Sequence, residues 1–420
     1  MTEQLNVPKL RFFDFDDALE LKYFGELVND ITYGPRFSAE DYCSDGNVRT
    51  IRGTDMGVNG EIKYHQVPTA NLDEKTVDRH KLKDGDLVMI TTADCGVTSV
   101  YREQSIKHIC SAYAVKINLN ENADSTYLKY FYQTTKAQYE VSRFIRKATV
   151  SNLPGSDINR IRHYPPLLPE QQKIASFLSK VDEKISLLSE KKDKLTEYKK
   201  GVMQQLFNGK WGYVDGKEDG QLTFIPPTLR FKADDGSEFP DWEEKCLGEI
   251  VSIKSPKVVP FEGIELPCIE LDNLSQETGR IIGDLSVNGA LSQKNRFKAG
   301  DVLFGKLRPY LKKFAYPDFA GMCSSEIWVM SSADSLSSNY LFQFIQTEDF
   351  VAEANKSSGT KMPRADWKVV SQMKFGLPCL GEQTRIANFL SAIDQKIDLA
   401  NTELEKAKEW KKGLLQQMFV

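Results

Sequence analysis

Two stretches of the chain carry apolar residues on alternating steps of four and three. In the first, Ile174, Leu178, Val181, Ile185, Leu188, Leu195, Val202 and Leu206 keep this spacing, interrupted by Lys192 and Lys199. In the second, Ile386, Leu390, Ile393, Ile397, Ala400, Leu404, Ala407, Leu414 and Met418 keep it, interrupted by Lys411. A 3.5-residue seam sustained over about five heptads predicts long helices with a coiled-coil face. Pro169 precedes Glu170-Gln171 and Gly381 precedes Glu382-Gln383, as helix starts require, and Asn208-Gly209 closes the first helix. At 1.5 Å per residue each helix would run about 57 Å. Between them, the short apolar runs LVMITT, AYAVKI, DVLFGK and EIWVM mix with helical stretches over 126–146 and 338–353, which predicts an α+β fold.

The two helical segments are copies of one another. Glu170 to Phe207 aligns without a gap on Glu382 to Phe419, and 19 of 38 positions are identical. Weaker echoes lie upstream. Lys83, Gly85 and Asp86 match Lys298, Gly300 and Asp301, and HICSA around Cys110 matches GMCSS around Cys323. Tyr127-Leu128 matches Tyr340-Leu341, and Leu10-Arg11-Phe12 matches Leu229-Arg230-Phe231. A repeat this long means two copies of a whole domain rather than a solenoid.

A heptad face is often satisfied by homodimerisation, but two equivalent seams in one chain can also pair with each other. Gly201 and Gly413 sit in the last third of each helix. Helix-interior glycine costs about 1 kcal/mol relative to alanine. Its presence in both copies points to close backbone approach, against the other helix or a partner, with a tolerated kink as the alternative.

A length of 420 residues suits two domains, and 40% apolar with 27% charged residues is ordinary for a soluble protein. The start, MTEQLNVPKL, has no signal-peptide pattern, and no apolar run approaches a membrane span. Seven cysteines without C-x-x-C spacing and four histidines argue against zinc and fit a reducing cytoplasm. The net charge of −4 counts against a free-standing DNA-binding protein. It leaves room for local basic patches, or for a partner that supplies phosphate contacts.

Catalytic patterns are missing. The nearest approach to a methyltransferase Asn/Asp-Pro-Pro-aromatic tetrapeptide is Tyr164-Pro165-Pro166-Leu167, which lacks both the amide and the aromatic. Gly212 to Lys217 is one residue short of a P-loop and lacks its hydroxyl. Asp241, Glu243 and Lys245 are too close together for a nuclease metal site. These absences point to a binding or scaffolding chain.

The clearest candidate for nucleic-acid contact is Lys306, Arg308, Tyr310, Lys312 and Lys313 in GKLRPYLKKF, delivered by the apolar run DVLF. Arginine suits bidentate contact with guanine, and lysine suits phosphate. The equivalent stretch of the first half keeps only Thr91, Thr92, Tyr101 and Arg102. Further candidates are Arg143, Arg146 and Lys147 in one half, and Lys356, Lys361 and Arg364 in the other. Each also reads as an ordinary solvated charge.

YPPLLPEQQKIASFLSKVDEKI and FGLPCLGEQTRIANFLSAIDQKI, each followed by a Lys-Lys-Gly segment ending in Gln-Gln-Leu-Phe or Gln-Gln-Met-Phe, resemble the repeated regions of Type I restriction–modification specificity subunits. GDVLFGKLRPYLKKF and CSSEIWVM resemble motifs of that family's target-recognition domains. The resemblance covers nearly the whole chain. It implies a target-recognition domain at 1–165, a helix at 166–208, a linker at 209–227, a second recognition domain at 228–376 and a second helix at 377–420. By implication the helices form an intramolecular antiparallel coiled coil. Each domain would bind one half of a bipartite site in double-stranded DNA, and the helices would set the spacing. Two modification (methyltransferase) subunits would dock on them, and restriction subunits could join. The chain itself would hold no cofactor and no metal. S-adenosylmethionine for adenine N6 methylation, and ATP with Mg for cleavage, would belong to the partners. Two departures stand out: the first domain lacks the K-x-R-P-Y run, and the second copy reads Leu-Pro-Cys-Leu-Gly at its helix entry. A coiled-coil protein scaffold, favoured by the negative charge, and an enzyme with an unrecognised site remain as alternatives.

Overall fold

The computed structural model describes residues 7–57, 59–213, 222–260, 266–286, 292–356 and 362–420. The chain divides into two units: Met1–Glu190 with Asn401–Val420, and Lys191–Ala400. Each unit therefore takes the start of one long helix and the end of the other.

In the first unit, strands Val28–Tyr33, Ala114–Leu119, Leu87–Ile90 and Thr98–Val100 form an antiparallel sheet in that order. All of Leu87–Ile90 is buried because both faces are covered. Leu87 and Met89 point into a core with Tyr127, Leu128 and Phe131, while Val88 and Ile90 point into another with Ile51 and Tyr101. A strand buried on two sides reads as a continuous apolar run, not as an alternation. Thr69–Ala70, Val48–Ile51 and His108–Cys110 form a second sheet, its last two strands parallel.

The second unit repeats the plan. Val251–Ser252, Ile327–Ser332, Val302–Gly305 and Phe314–Ala315 form the antiparallel sheet, with Val302 and Phe304 in one core and Leu303 in the other. Cys268–Ile269 and Gly321–Cys323 repeat the parallel pair. The extra strands differ. They lie beside Val48–Ile51 in the first unit and beside Gly321–Cys323 in the second.

The predicted helical stretches are each two helices, Ser125–Phe131 with Thr135–Ser142 and Ser338–Phe344 with Glu348–Ala354. Thr134 and Thr347 cause the break. Each hydroxyl accepts a new helix's N–H, from Ala137 and Phe350, and donates back to Phe131 and Phe344 carbonyls.

Of the stretch expected as a surface linker, residues 214–221 lie outside the described residues, and its two flanks are strands. Lys210–Tyr213 pairs antiparallel with Leu222–Ile225. The Phe224 ring stacks on Trp242 at 6.0 Å. A Cβ at Gly209 or Gly376 would come within 1.9 or 2.1 Å of that ring, so both positions require glycine.

The helices run Leu168–Phe207 and Leu380–Met418, and within each unit the portion of one pairs antiparallel with the portion of the other. In the first unit, Ile174, Leu178 and Val181 share a core with Leu414, Leu415, Met418 and Phe419. In the second, Met203 and Leu206 share one with Ile386, Leu390 and Ile393. The helix ends thus pack into the domain cores as well as on each other. Ile185, Leu188, Leu195, Val202 and Ile397 are half-buried, whereas Leu404 is buried. Two of the lysines that interrupt the seam form matched ion pairs. Lys411 meets Asp182 at 2.7 Å, and Lys199 meets Asp394 at 2.7 Å, so the two pairs occupy equivalent positions of the repeat. Gly201 and Gly413 do not mark close approach of the other helix: among the described residues the nearest atom to a Cβ is a flexible Gln417 amide 3.9 Å from Gly413, and none lies within 4 Å at Gly201. Both helices run unbroken through them.

The repeated Glu-Gln pair at each helix start has a defined task. Glu170 receives two hydrogen bonds from the Arg11 guanidinium, at 2.8 and 2.7 Å. Glu382 receives two from Arg230, at 3.0 and 2.7 Å. Gln171 accepts the Asp124 N–H and donates to the Asn122 and Pro166 carbonyls. Gln383 accepts the Ser337 N–H and donates to Ser335 and Pro378. The pair clamps the start of each helix to the domain before it.

Candidate nucleic-acid interface

In the second unit the central strand Val302–Gly305 leads into a loop held in an uncommon shape. Arg308 and Lys312 adopt left-handed backbone angles, φ +52° and +49°, on either side of a single turn at Pro309–Leu311. Each such non-glycine residue costs on the order of 1–3 kcal/mol. Neighbouring backbone compensates: Arg308 N–H donates to Pro363 O at 2.8 Å, Ala365 N–H to Lys306 O at 2.8 Å, and Glu277 N–H to Lys312 O at 2.9 Å.

The loop's basic residues are not equivalent. Lys312 pairs with Glu348 at 2.8 Å and holds that carboxyl below the usual range. Lys313 donates to the Leu271 carbonyl at 2.6 Å, and Arg364 forks onto Glu326 at 2.9 and 3.3 Å. Among the described residues, Lys306 and Arg308 make no side-chain ion pair. With Tyr310, 53% exposed, they are the side chains this loop offers to a ligand. Lys361 lies outside the described residues.

The first unit has the same loop on the same strand. Counted from the matched Gly85 and Gly300, Ala93 falls at the position of Arg308, and it too is left-handed, at φ +64°. Its N–H donates to Ser151 O at 2.9 Å, the counterpart of the bond to Pro363. The backbone frame is common, but Ala93, Asp94 and Cys95 replace Arg308, Pro309 and Tyr310.

Two expected contacts here are core residues. Thr91 is 1% exposed and its hydroxyl donates to the Tyr113 carbonyl, because it still continues the inward-facing strand. Tyr101 is also 1% exposed, packed against Tyr64 and His108. Arg102 is exposed but paired with Asp84 at 3.1 Å. It follows the end of Thr98–Val100 that pairs with Leu87, opposite the Ala93 loop. Thr92 and Arg146 do come together, since bridges join both to Asn152; Arg146 also meets Asp157 at 3.7 Å, and Lys147 is exposed. Arg143 pairs with Glu140, and Lys356 with Glu353.

The structure adds a groove of about 1290 Å³ beside the Ala93 loop, bordered by Tyr33, Arg36, Tyr42, Asp94, Tyr113 and Asn152. Tyr113 is 64% exposed. Arg52, also on its wall, is held by buried Asp55 at 2.9 Å, whereas Arg36 makes no ion pair among the described residues. Partial burial pushes the Tyr42 phenol up. No periodic pattern in the sequence joins residues 33–42, 91–94, 111–113 and 150–152, so the groove is not legible there. Among the described residues no three His, Cys, Asp or Glu side chains could hold a metal ion, and no helix is long and apolar enough to cross a membrane.

Comparison with known proteins agrees with this duplicated plan. The profile of the Type I restriction modification DNA specificity domain matches residues 22–197 and again 240–409. The chain is 23% identical over 274 residues to the Type I restriction enzyme EcoDI specificity subunit of Escherichia coli, covering 62% of this chain and 61% of that one. It is 25% identical over 329 residues to the MjaVIII specificity subunit of Methanocaldococcus jannaschii, covering 74% and 73%. The match therefore spans less than two thirds of the E. coli relative. The fold is similar to a Type I restriction–modification S subunit from M. genitalium, with a TM-score of 0.58 at 15% identity over 99% of both chains. A chain from a structure described under complex assembly and conformational transition of the type I R-M system gives a TM-score of 0.55 at 16% identity, covering 96% and 99%.

Proposed function

Because the chain belongs to the Type I restriction–modification DNA specificity family, we propose that it is the non-catalytic, cytoplasmic subunit that directs a methyltransferase to a split DNA sequence. Each recognition domain takes one half of a bipartite duplex site. The paired helices set the unread spacing and dock two modification subunits, which restriction subunits can join. S-adenosylmethionine, ATP and Mg belong to those partners. The observation that carries this reading is the shared loop frame: one left-handed position, Ala93 in one domain and Arg308 in the other, with unlike side chains around it. A common scaffold with diverged tips is what two unlike half-sites require.

The test is adenine methylation mapping by long-read sequencing in cells that express the chain with the methyltransferase encoded beside it. A split motif with a fixed spacer, lost when this chain is omitted, is the expected result. A stable complex that leaves no such motif would return the chain to the protein-scaffold reading.

Docking of two copies of one partner calls for equivalent exposed surfaces. Leu187 and Leu399, which align in the repeat, are each 58% exposed, and the aligned Tyr198 and Trp410 are 54% and 49% exposed. Trp410→Glu is expected to lower the methyltransferase-to-chain ratio in the purified complex from two to one, and Trp410→Glu with Tyr198→Glu to abolish co-purification. Light scattering would decide this. A double variant that still carries two copies rules out these side chains as the docking surface.

A further inference from the structure

Resting on the reading above, we infer that the first domain reads bases through the groove of Arg36, Tyr113, Asp94 and Asn152, and that Arg36 determines specificity for one base pair of its half-site. The loop that presents Arg308 and Tyr310 in the second domain presents Ala93, Asp94 and Cys95 in the first, on the same backbone frame. The donor and the ring at the tip are gone. The groove beside this loop supplies both. Arg36, exposed and without an ion pair among the described residues, comes from the segment after strand Val28–Tyr33. Tyr113, 64% exposed, comes from the turn before Ala114–Leu119.

The chemistry fits the major-groove edges of duplex DNA. A free guanidinium forks onto guanine O6 and N7. The Asp94 carboxylate accepts from cytosine N4, and the Asn152 amide can pair with adenine. Tyr113 and half-exposed Val150 supply apolar surface of the kind that meets a thymine methyl. Arg52 is excluded from the role because Asp55 occupies its fork at 2.9 and 3.0 Å. Arg36, by contrast, spends no ion pair on the fold, so its removal changes recognition rather than stability.

The experiment uses the purified chain–methyltransferase complex. Competition binding is measured on duplexes bearing the mapped motif and each single base-pair change in either half. For the unmodified chain, each read base pair is expected to discriminate roughly ten- to hundredfold. In Arg36→Ala, discrimination at one base pair of one half collapses to within about twofold, while every position of the other half is unchanged. Arg36→Lys keeps the charge but not the fork, and loses the same discrimination with a smaller fall in affinity. A profile parallel to the unmodified chain at every position overturns the inference, whether or not overall affinity falls. An unmodified complex that discriminates at no position is a failure of the functional reading itself, which separates the two.

Discussion

Replacing Glu382 with alanine is expected to destabilise the second unit by about 3–5 kcal/mol. The carboxylate is fully buried. It accepts from Arg230 Nη2 at 2.7 Å, Arg230 Nε at 3.0 Å and the Trp242 indole N–H at 2.9 Å. Alanine leaves a buried indole N–H without an acceptor, and leaves the guanidinium fewer partners, chiefly the Phe239 and Pro240 carbonyls. Breaking one side of a buried, hydrogen-bonded charge pair costs more than the pair contributes, because the remaining charge stays desolvated. Glu170→Ala removes two bonds from Arg11, and among the described residues no indole donates to Glu170 as Trp242 does to Glu382, so a smaller loss is expected. Urea unfolding followed by tryptophan fluorescence measures both. A Glu382→Ala midpoint like that of a surface substitution, within about 0.5 kcal/mol, would refute the clamp.

The second large effect is a gain in acid stability. His163→Phe is expected to leave the fold intact at pH 7 and to outlast the unmodified chain by roughly 2–3 kcal/mol at about pH 4.5. The His163 ring lies between Phe24 at 5.1 Å and Phe131 at 4.5 Å. Its Nδ1 is 3.2 Å from the Ile161 carbonyl, and its Nε2 has no partner among the described residues. Burial lowers its pKa to about 4, against about 6.5 in the unfolded chain. Since the folded value is the lower one, the unfolded chain binds the extra proton between these limits. This stability is present above about pH 6.5 and is lost as pH falls through about 4. The other domain shows that phenylalanine fits: Phe375 takes the aligned position of the repeat and stacks against Phe344 at 4.6 Å. Equal losses between pH 7 and pH 4.5 in both proteins would show that His163 is not the sensitive group.

Part of the molecule is legible in the order of its residues. The seam of Ile174, Leu178 and Val181, and its copy at Ile386, Leu390 and Ile393, place both long helices because a 3.5-residue period has one geometric meaning. Runs such as LVMI and DVLF place the central strands, since a strand covered on both faces has no polar positions. Lys199 and Lys411 read only as interruptions. A lysine's helical position says which way it faces, not whether Asp394 or Asp182 waits across from it. Thr134 and Thr347 hide the break in the predicted helices, because a threonine hydroxyl caps a helix only where the backbone has already turned.

The candidate interface is harder to see. Thr91 and Tyr101 read as contacts beside a loop, yet both are core, since burial depends on which layer covers a strand's end. Arg36, Asp94, Tyr113 and Asn152 meet through long-range packing that leaves no spacing in the sequence. By itself, then, the sequence determines the duplication, the two helices, the mixed α and β content of the domains and the family, all of which rest on local periodicity or on repetition. Only the tertiary structure decides which charges are paired, such as Lys312 and Arg364, and which make no ion pair among the described residues, such as Arg36 and Arg308. That outcome depends on distances between segments far apart in the chain, and residue type does not carry them.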